Sequence, residues 1–339
     1  MNYLTIFTST IILSYVLTLC IAKIANKLNI VDIADVERKK HKGRTPLLGG
    51  TAIFLSFFCI SFIFKEELLS GDLETHHLIG VFIGALILII GGAIDDKFKI
   101  SAKKQIIFPI IACFSVILGG VEITKINSPL TNDFLYFSTI TSNIFVFTWL
   151  ICIMYTTKLL DGIDGLVSGV TGIGAFIIFI FTLTTKYYQP DISTASLILL
   201  SACLGFLILN WHPAKIFLGE GGSLFLGYIL GVLAIISGGK VAIAALVLGI
   251  PITDMLWTII RRLINKKNPL TSADRLHLHH RLNDLGLGPK RTATLYYLFS
   301  GIFGISAVFL QSKEKFFALL LLILIMIVSV IYLSKQKKM

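Results

Sequence analysis

Three features of the sequence predict an all-α, polytopic integral membrane protein with about eleven transmembrane helices. First, apolar runs of spanning length recur along the whole chain; a membrane helix needs ~20 predominantly apolar residues, about 17–25. Second, 55% of the 339 residues belong to the hydrophobic set and only 14% are charged, against roughly 25% in a typical soluble domain. Mean hydropathy is +0.85. Third, Lys and Arg concentrate in alternate connections, as the positive-inside rule requires.

The spans fall at 3–22, 46–64, 77–94, 104–120, 142–160, 163–185, 192–210, 222–238, 240–260, 292–310 and 315–333. The first, apolar from Leu4 to Ala22, lacks a basic leader region and an obvious small-residue cleavage site. It reads as a retained span, not a signal peptide. The run 222–260 divides at Gly238 and Gly239 into two spans with almost no loop. The segment "VEITKINSPLTNDFLYFSTI", Val121 to Ile140, alternates β-branched and polar residues around Asn-Ser-Pro, which predicts a small external β-hairpin. No fixed-period repeat or low-complexity tract is visible. The chain reads as one membrane-embedded domain, 1–339, with a basic, His-bearing loop at 261–291.

An odd span count places the termini on opposite sides. With the N-terminus outside and the C-terminus cytoplasmic, the inner segments hold 24 of the 30 Lys and Arg residues. Topology therefore accounts for most of the net charge of +11, and no nucleic-acid partner is needed. Anionic lipid headgroups or a phosphorylated substrate would use the same charge. The five cysteines are scattered through apolar runs without a C-x-x-C pair. They read as small packing residues, not as a disulfide framework or zinc site.

With this topology the unusual polar residues collect on the cytoplasmic side. They lie in "DVERKKHKGRTPLLGG" (from Asp35), "GGAIDDKFKISAKK" (with Asp95 and Asp96), "TTKLLDGIDGLVSG" (with Lys158, Asp161 and Asp164), "NWHPAKIFLGEGGS" (with Glu220) and the loop carrying "ADRLHLHHRL". Each has a purely structural reading. Asp95 and Asp96 end a helix, although acids there oppose the helix dipole. Asp161 and Asp164 cap the helix that follows. The basic loop is a topology signal, and the histidines are a surface cluster. Together, however, five carboxylates, three histidines and several cations converge at one edge of the hydrocarbon, where ionisable residues are costly and usually functional. Carboxylates with a hard divalent cation suit phosphate chemistry. Arg275, His277, His279 and His280 offer donors to a diphosphate. The glycines of "LGEGGS" let backbone amides approach a phosphate at a helix start. The residues by themselves thus indicate a metal-assisted phosphoryl-transfer site at the inner membrane surface, with a lipid-accessible partner.

The ordered set "RKKHKGRTPLLGG", "DDKFKISAKK", "DGIDGL", "FLGEGGSLFLG" and "ADRLHLHHRL" resembles the polyprenyl-phosphate N-acetylhexosamine-1-phosphate transferases, from about Asp32 to Gly304. The combination is specific, although any single piece is weak. That family moves a sugar-1-phosphate from a UDP-sugar to a polyprenyl phosphate in the membrane and releases UMP. "ADRLHLHHRL" is similar to the N-acetylglucosamine-1-phosphate branch. The branch that transfers phospho-MurNAc-pentapeptide, the alternative, more often has three consecutive histidines where Leu278 intervenes here.

The resemblance implies a bacterial cytoplasmic membrane enzyme with Mg²⁺, or Mn²⁺ in its place, as cofactor; it leaves a homodimer open. It implies that Asp95 and Asp96 lie near the acceptor phosphate and that Asp161 and Asp164 shape the nucleotide and metal pocket. It further implies that Glu220 and Asp161 bind the metal. Arg38, His41, Thr45, Lys104, Lys158, Arg275, His277, His279 and His280 would contact substrate. Two motifs depart from the family pattern. Tyr155 and Lys158 stand where the family usually has Asn, and Glu220 stands where it usually has a metal-binding Asp. In one reading Glu220 still binds Mg²⁺ and Lys158 turns to a phosphate; the four remaining aspartates favour this. In the other, Lys158 pairs with Glu220 and its ammonium takes part of the metal's place. The rivals are a non-catalytic carrier or scaffold on the same fold, and a CDP-alcohol phosphotransferase, whose D-G-x-x-A-R pattern is absent around Asp161 and Asp164.

Overall fold

The computed structural model describes residues 2–33, 44–128, 133–184, 187–238, 241–266, 268 and 276–336. Its described residues are mostly helical. In chain order the long elements are α1 (Tyr3–Lys27), a pair of short strands β1 (Val31–Ile33) and β2 (Arg44–Pro46), and α2 (Gly49–Ile63). The turn α3 (Lys65–Leu68) leads to α4 (Thr75–Phe98), the turn α5 (Ala102–Gln105) and α6 (Ile107–Leu118). Strands β3 (Lys125–Asn127) and β4 (Phe134–Tyr136) precede α7 (Thr139–Leu160), α8 (Leu166–Thr182), α9 (Pro190–Asn210) and α10 (Glu220–Ile236). Then come α11 (Val241–Val247), α12 (Gly249–Ile264), α13 (Leu278–Leu282), α14 (Gly288–Phe309) and α15 (Ser312–Gln336).

Helix stands at each of the eleven predicted positions, but α2, α8 and α10 fall short of the length used to identify a span, so eleven crossings do not follow from it. Among the described residues, five helical segments are long and apolar enough to cross a membrane: Tyr3–Lys27, Thr75–Phe98, Thr139–Leu160, Pro190–Asn210 and Leu278–Phe309. Helices α11 and α12 meet at 79° and make a sixth if counted as one span. The segment expected as one span at 240–260 is therefore broken. The segment expected at 104–120 is divided between α5 and α6, and Pro109 lies in the first turn of α6, where its missing N–H breaks no helical bond. The hairpin expected at 121–140 is present, with β3 and β4 antiparallel and Ile126 opposite Leu135. A second antiparallel pair, β1 with β2, was not expected; it sets Asp32 opposite Thr45.

Helix α10 is the central element. Residues Gly221 through Ile235 are buried without a break, as expected for a helix apolar on all sides. It packs on α7, α4, α2 and α8. Its first turn is pinned by close backbone approach. A Cβ on Gly92 of α4 would overlap the Gly221 backbone, and one on Gly50 of α2 would overlap Gly222. Three helix ends therefore meet where α10 begins. Helix α9 crosses α1 in the way of membrane helices, through small residues and hydroxyls. Ser14 Oγ donates to the Ala202 carbonyl at 2.7 Å, and a Cβ on Gly205 would lie 2.5 Å from the Ile11 carbonyl oxygen. All five cysteines are free thiols. Cys113 and Cys203 pack inside as expected, whereas Cys20 and Cys59 lie on exposed helix faces.

Candidate active site

The paired acids Asp95 and Asp96 occupy the last turn of α4, where they oppose its dipole. Their partners explain the placement. Asp96 Oδ1 accepts the backbone N–H of Glu220 at 3.1 Å, so this carboxylate caps the N-terminus of α10 from a different helix. Its other oxygen sits against Gly219, where a Cβ would lie 2.5 Å from Oδ2. Gly219 itself has φ +78°, a backbone that glycine adopts without strain. Asp95 Oδ1 accepts from Gln105 Nε2 at 2.8 Å. Gln105 Oε1 in turn accepts from Lys158 Nζ at 3.0 Å, and Lys158 forms an ion pair with Glu220. The chain Asp95–Gln105–Lys158–Glu220 thus joins α4, α5, α7 and α10 in one polar line.

Asp161 ends α7 and Asp164 follows within the turn before α8. Neither caps α8: its N-cap is Gly165, with φ +75° and no side-chain cap bond. The capping reading is corrected accordingly. Asp164 Oδ2 instead accepts the Ala214 N–H at 3.1 Å and pairs with His212 Nδ1 at 2.6 Å. The same turn is held by Asn210, whose Oδ1 accepts from Gly165 N at 3.0 Å, and by the Tyr297 hydroxyl, which donates to the Gly165 carbonyl at 2.5 Å. Asp161 keeps an exposed face. Protein surrounds its inner side, however. That desolvation, followed by the charges of Glu220, Asp96 and Asp164, pushes its carboxyl up to about 8.

The histidines are brought onto this turn. The His279 ring lies 4.2 Å from that of His280 and 5.6 Å from that of His277, centroid to centroid. A Cβ on Gly162 would sit 2.5 Å from His279 Nε2 and 2.7 Å from His280 Cε1. Only a glycine between Asp161 and the ladder permits this approach. His279 is fully buried, and neither ring nitrogen has a hydrogen-bond partner among the described residues. Asp254, buried on α12, fixes the start of the ladder. Its Oδ2 pairs with His277 Nδ1 at 2.9 Å and its Oδ1 accepts the Leu278 N–H at 3.1 Å.

Of the other expected substrate residues, Thr45 is buried on β2. That strand is sewn to the segment before Glu220, with Phe217 N–H donating to the Pro46 carbonyl at 2.9 Å. Lys104 is exposed on α5, and its neighbour Gln105 is the residue that reaches the acids. Arg38, His41 and Arg275 lie outside the described residues. Gln105, Asn210, His212, Asp254 and Tyr297 were not singled out from the sequence. Asp254 had a signal that could have found it: an acid within an apolar helix is a functional candidate by default.

Among the described residues, no three His, Cys, Asp or Glu side chains are grouped to hold a metal by themselves. The donor chemistry still suits Mg²⁺. The oxygens are hard carboxylates, and Mg²⁺ characteristically takes one or two of them and completes its shell with water and substrate phosphates.

Residues 78–238, which carry Asp95, Asp96, Asp161, Asp164 and Glu220, match the family model described as glycosyl transferase family 4. A probable undecaprenyl-phosphate N-acetylglucosaminyl 1-phosphate transferase of Bacillus subtilis is 31% identical over 95% of this chain and 88% of its own length. This chain belongs to glycosyl transferase family 4. A decaprenyl-phosphate N-acetylglucosaminephosphotransferase of Mycobacterium leprae is 28% identical over 87% of the chain and 80% of its own length. A phospho-N-acetylmuramoyl-pentapeptide-transferase of Halalkalibacterium halodurans is 28% identical over 89% and 96%. Similarity to the family 4 relatives thus extends well beyond the matched segment, across nearly the whole chain.

Proposed function

We propose that this protein transfers N-acetylglucosamine-1-phosphate from UDP-N-acetylglucosamine to a polyprenyl phosphate, undecaprenyl phosphate in the first instance. The products are UMP and the lipid-linked diphosphate sugar that starts a cell-envelope polysaccharide. The observation that carries this is the meeting of Asp95, Asp96, Asp161, Glu220 and the His277–His280 ladder from four separate helices, in a chain whose relatives bear that activity in their names.

The reaction forms a bond between an acceptor-phosphate oxygen and the β-phosphorus of the nucleotide sugar. The bond from that phosphorus to the bridging oxygen breaks, and the oxygen leaves with UMP. A phosphate monoester is already mostly ionised at neutral pH, with a second pKa of about 6. The acids therefore need to position the nucleophile more than deprotonate it. Asp95, braced by Gln105, orients the acceptor phosphate. Asp96 holds the start of α10. His279 and His280 face the diphosphate across Gly162. Asp161 and Glu220 would hold Mg²⁺, which when bound neutralises charge on the diphosphate.

The site lies on the cytoplasmic side of eleven crossings in a bacterial cytoplasmic membrane, with the N-terminus outside; the Lys and Arg distribution supports this. The test is a panel of UDP-sugars with purified protein in detergent, undecaprenyl phosphate and Mg²⁺ or Mn²⁺. UMP and lipid-linked product from UDP-N-acetylglucosamine are expected. The similarity to the H. halodurans protein makes UDP-MurNAc-pentapeptide the second donor to include. Release of UMP from no donor in the panel would overturn the proposal.

A further inference from the structure

Lys158, in the last turn of α7, pairs with Glu220, the first residue of α10. Both side chains retain 20% of their surface, so the pair is mostly shielded from water. Asp95 reaches the pair through Gln105, and Asp96 accepts the Glu220 amide. Among the described residues, Lys158 is the one lysine or arginine paired with any of these carboxylates. Its ammonium also donates to Gln105, which holds Asp95. The lysine is therefore tied directly to Glu220 and through Gln105 to Asp95, and Glu220 is the carboxylate that the proposed function gives to a divalent cation. Glutamate's additional methylene gives that carboxylate the reach to meet the lysine.

A protonated amine cannot coordinate a metal. It carries one positive charge where the metal carries two, and it is a compact point charge well suited to phosphate oxygens. We propose that Lys158 is a resident cation that holds Glu220 until the nucleotide arrives. A divalent ion gains Glu220 only when the donor's diphosphate receives the displaced ammonium. Metal and nucleotide then bind as a coupled pair, each strengthening the other by the same factor. This rests on the donor being a nucleotide diphosphate, as proposed above.

The experiment measures Mn²⁺ binding by electron paramagnetic resonance to the full chain in detergent, with and without UDP. Wild type binds Mn²⁺ weakly alone and more tightly with UDP. Lys158→Met binds Mn²⁺ alone more tightly than wild type, and UDP adds little. Lys158→Arg keeps the charge and behaves as wild type, which guards against a folding artefact in the methionine variant. Glu220→Gln in the Lys158→Met background removes the gain. Equal Mn²⁺ affinity in wild type and Lys158→Met would overturn the proposal, as would tight binding by Lys158→Arg. These readings need no turnover. An inactive protein with the expected Mn²⁺ behaviour would count against the transferase reading alone. An active one whose Mn²⁺ affinity ignores Lys158 would count against this inference alone.

Discussion

Asp254 shows how a single buried carboxylate can set the geometry of a distant loop. It lies in the middle of α12 and holds both the His277 ring and the Leu278 amide, 23 and 24 residues further along. Fixing Nδ1 leaves Nε2 of His277 as the other position for a substrate contact. Asp254→Asn removes the charge-assisted bond while keeping the shape. It should lower kcat/KM for the nucleotide sugar about 10–100-fold, as loss of a supporting partner does elsewhere. Most of that loss should appear as a raised KM, with thermal unfolding nearly unchanged; a normal KM would show that the clamp is dispensable. At the same scale, Lys158 and Glu220 should be coupled. Lys158→Asn and Glu220→Asp should each impair activity, and the double variant should recover it with ordinary Mg²⁺ dependence. The coupling energy in the double-mutant cycle should be about 0.5–3 kcal/mol, and simple additivity would refute it.

At the scale of elements, the site depends on three helix ends approaching closer than side chains allow. Gly92 of α4 meets Gly221 of α10, and Gly50 of α2 meets Gly222. Overpacking a fitted contact costs about 1–3 kcal/mol, occasionally more. Gly92→Ala should therefore lower the unfolding temperature and also weaken activity, because it moves Asp96 away from the Glu220 amide. Gly301→Ala on α14 is the matched control. No atom lies within 4 Å of its added methyl, and alanine is favoured over glycine in a helix interior by up to about 1 kcal/mol. It should leave stability and activity intact. Calorimetry or a thiol-reactive unfolding assay on both variants checks the pair. The sequence offered the glycines of "LGEGGS" only as a turn open to a phosphate. Their packing role was not readable, because nothing local in "LGEGGS" says that another helix's glycine lies opposite.

For the whole molecule, the arrangement of charge predicts sidedness. A cysteine placed at Lys103 in a cysteine-free background should react only with thiol reagents that reach the cytoplasm. One placed at Lys125 should react from outside. The reverse pattern at either position would refute the proposed orientation. The helices, the 121–140 hairpin, and the acidic and histidine clusters were all legible in the residues, because hydropathy, alternation and motif order are properties of short stretches. The break at Leu248 between α11 and α12 was not expected, although Gly249 and Pro251 just beyond it are a local signal for one. Nor were the partners within the site. Asp96 caps a helix 124 residues away and Asp164 anchors a loop 50 residues away, while the pairing of Lys158 with Glu220, one of two alternatives the sequence left open, was decided by the fold. The sequence by itself determined a membrane-embedded helical chain and the residue types available for phosphate chemistry, through composition and local pattern. Only the tertiary structure decided which of those acids are committed as caps and clamps, and that a lysine stands among them. Such pairings depend on which helix ends meet in space.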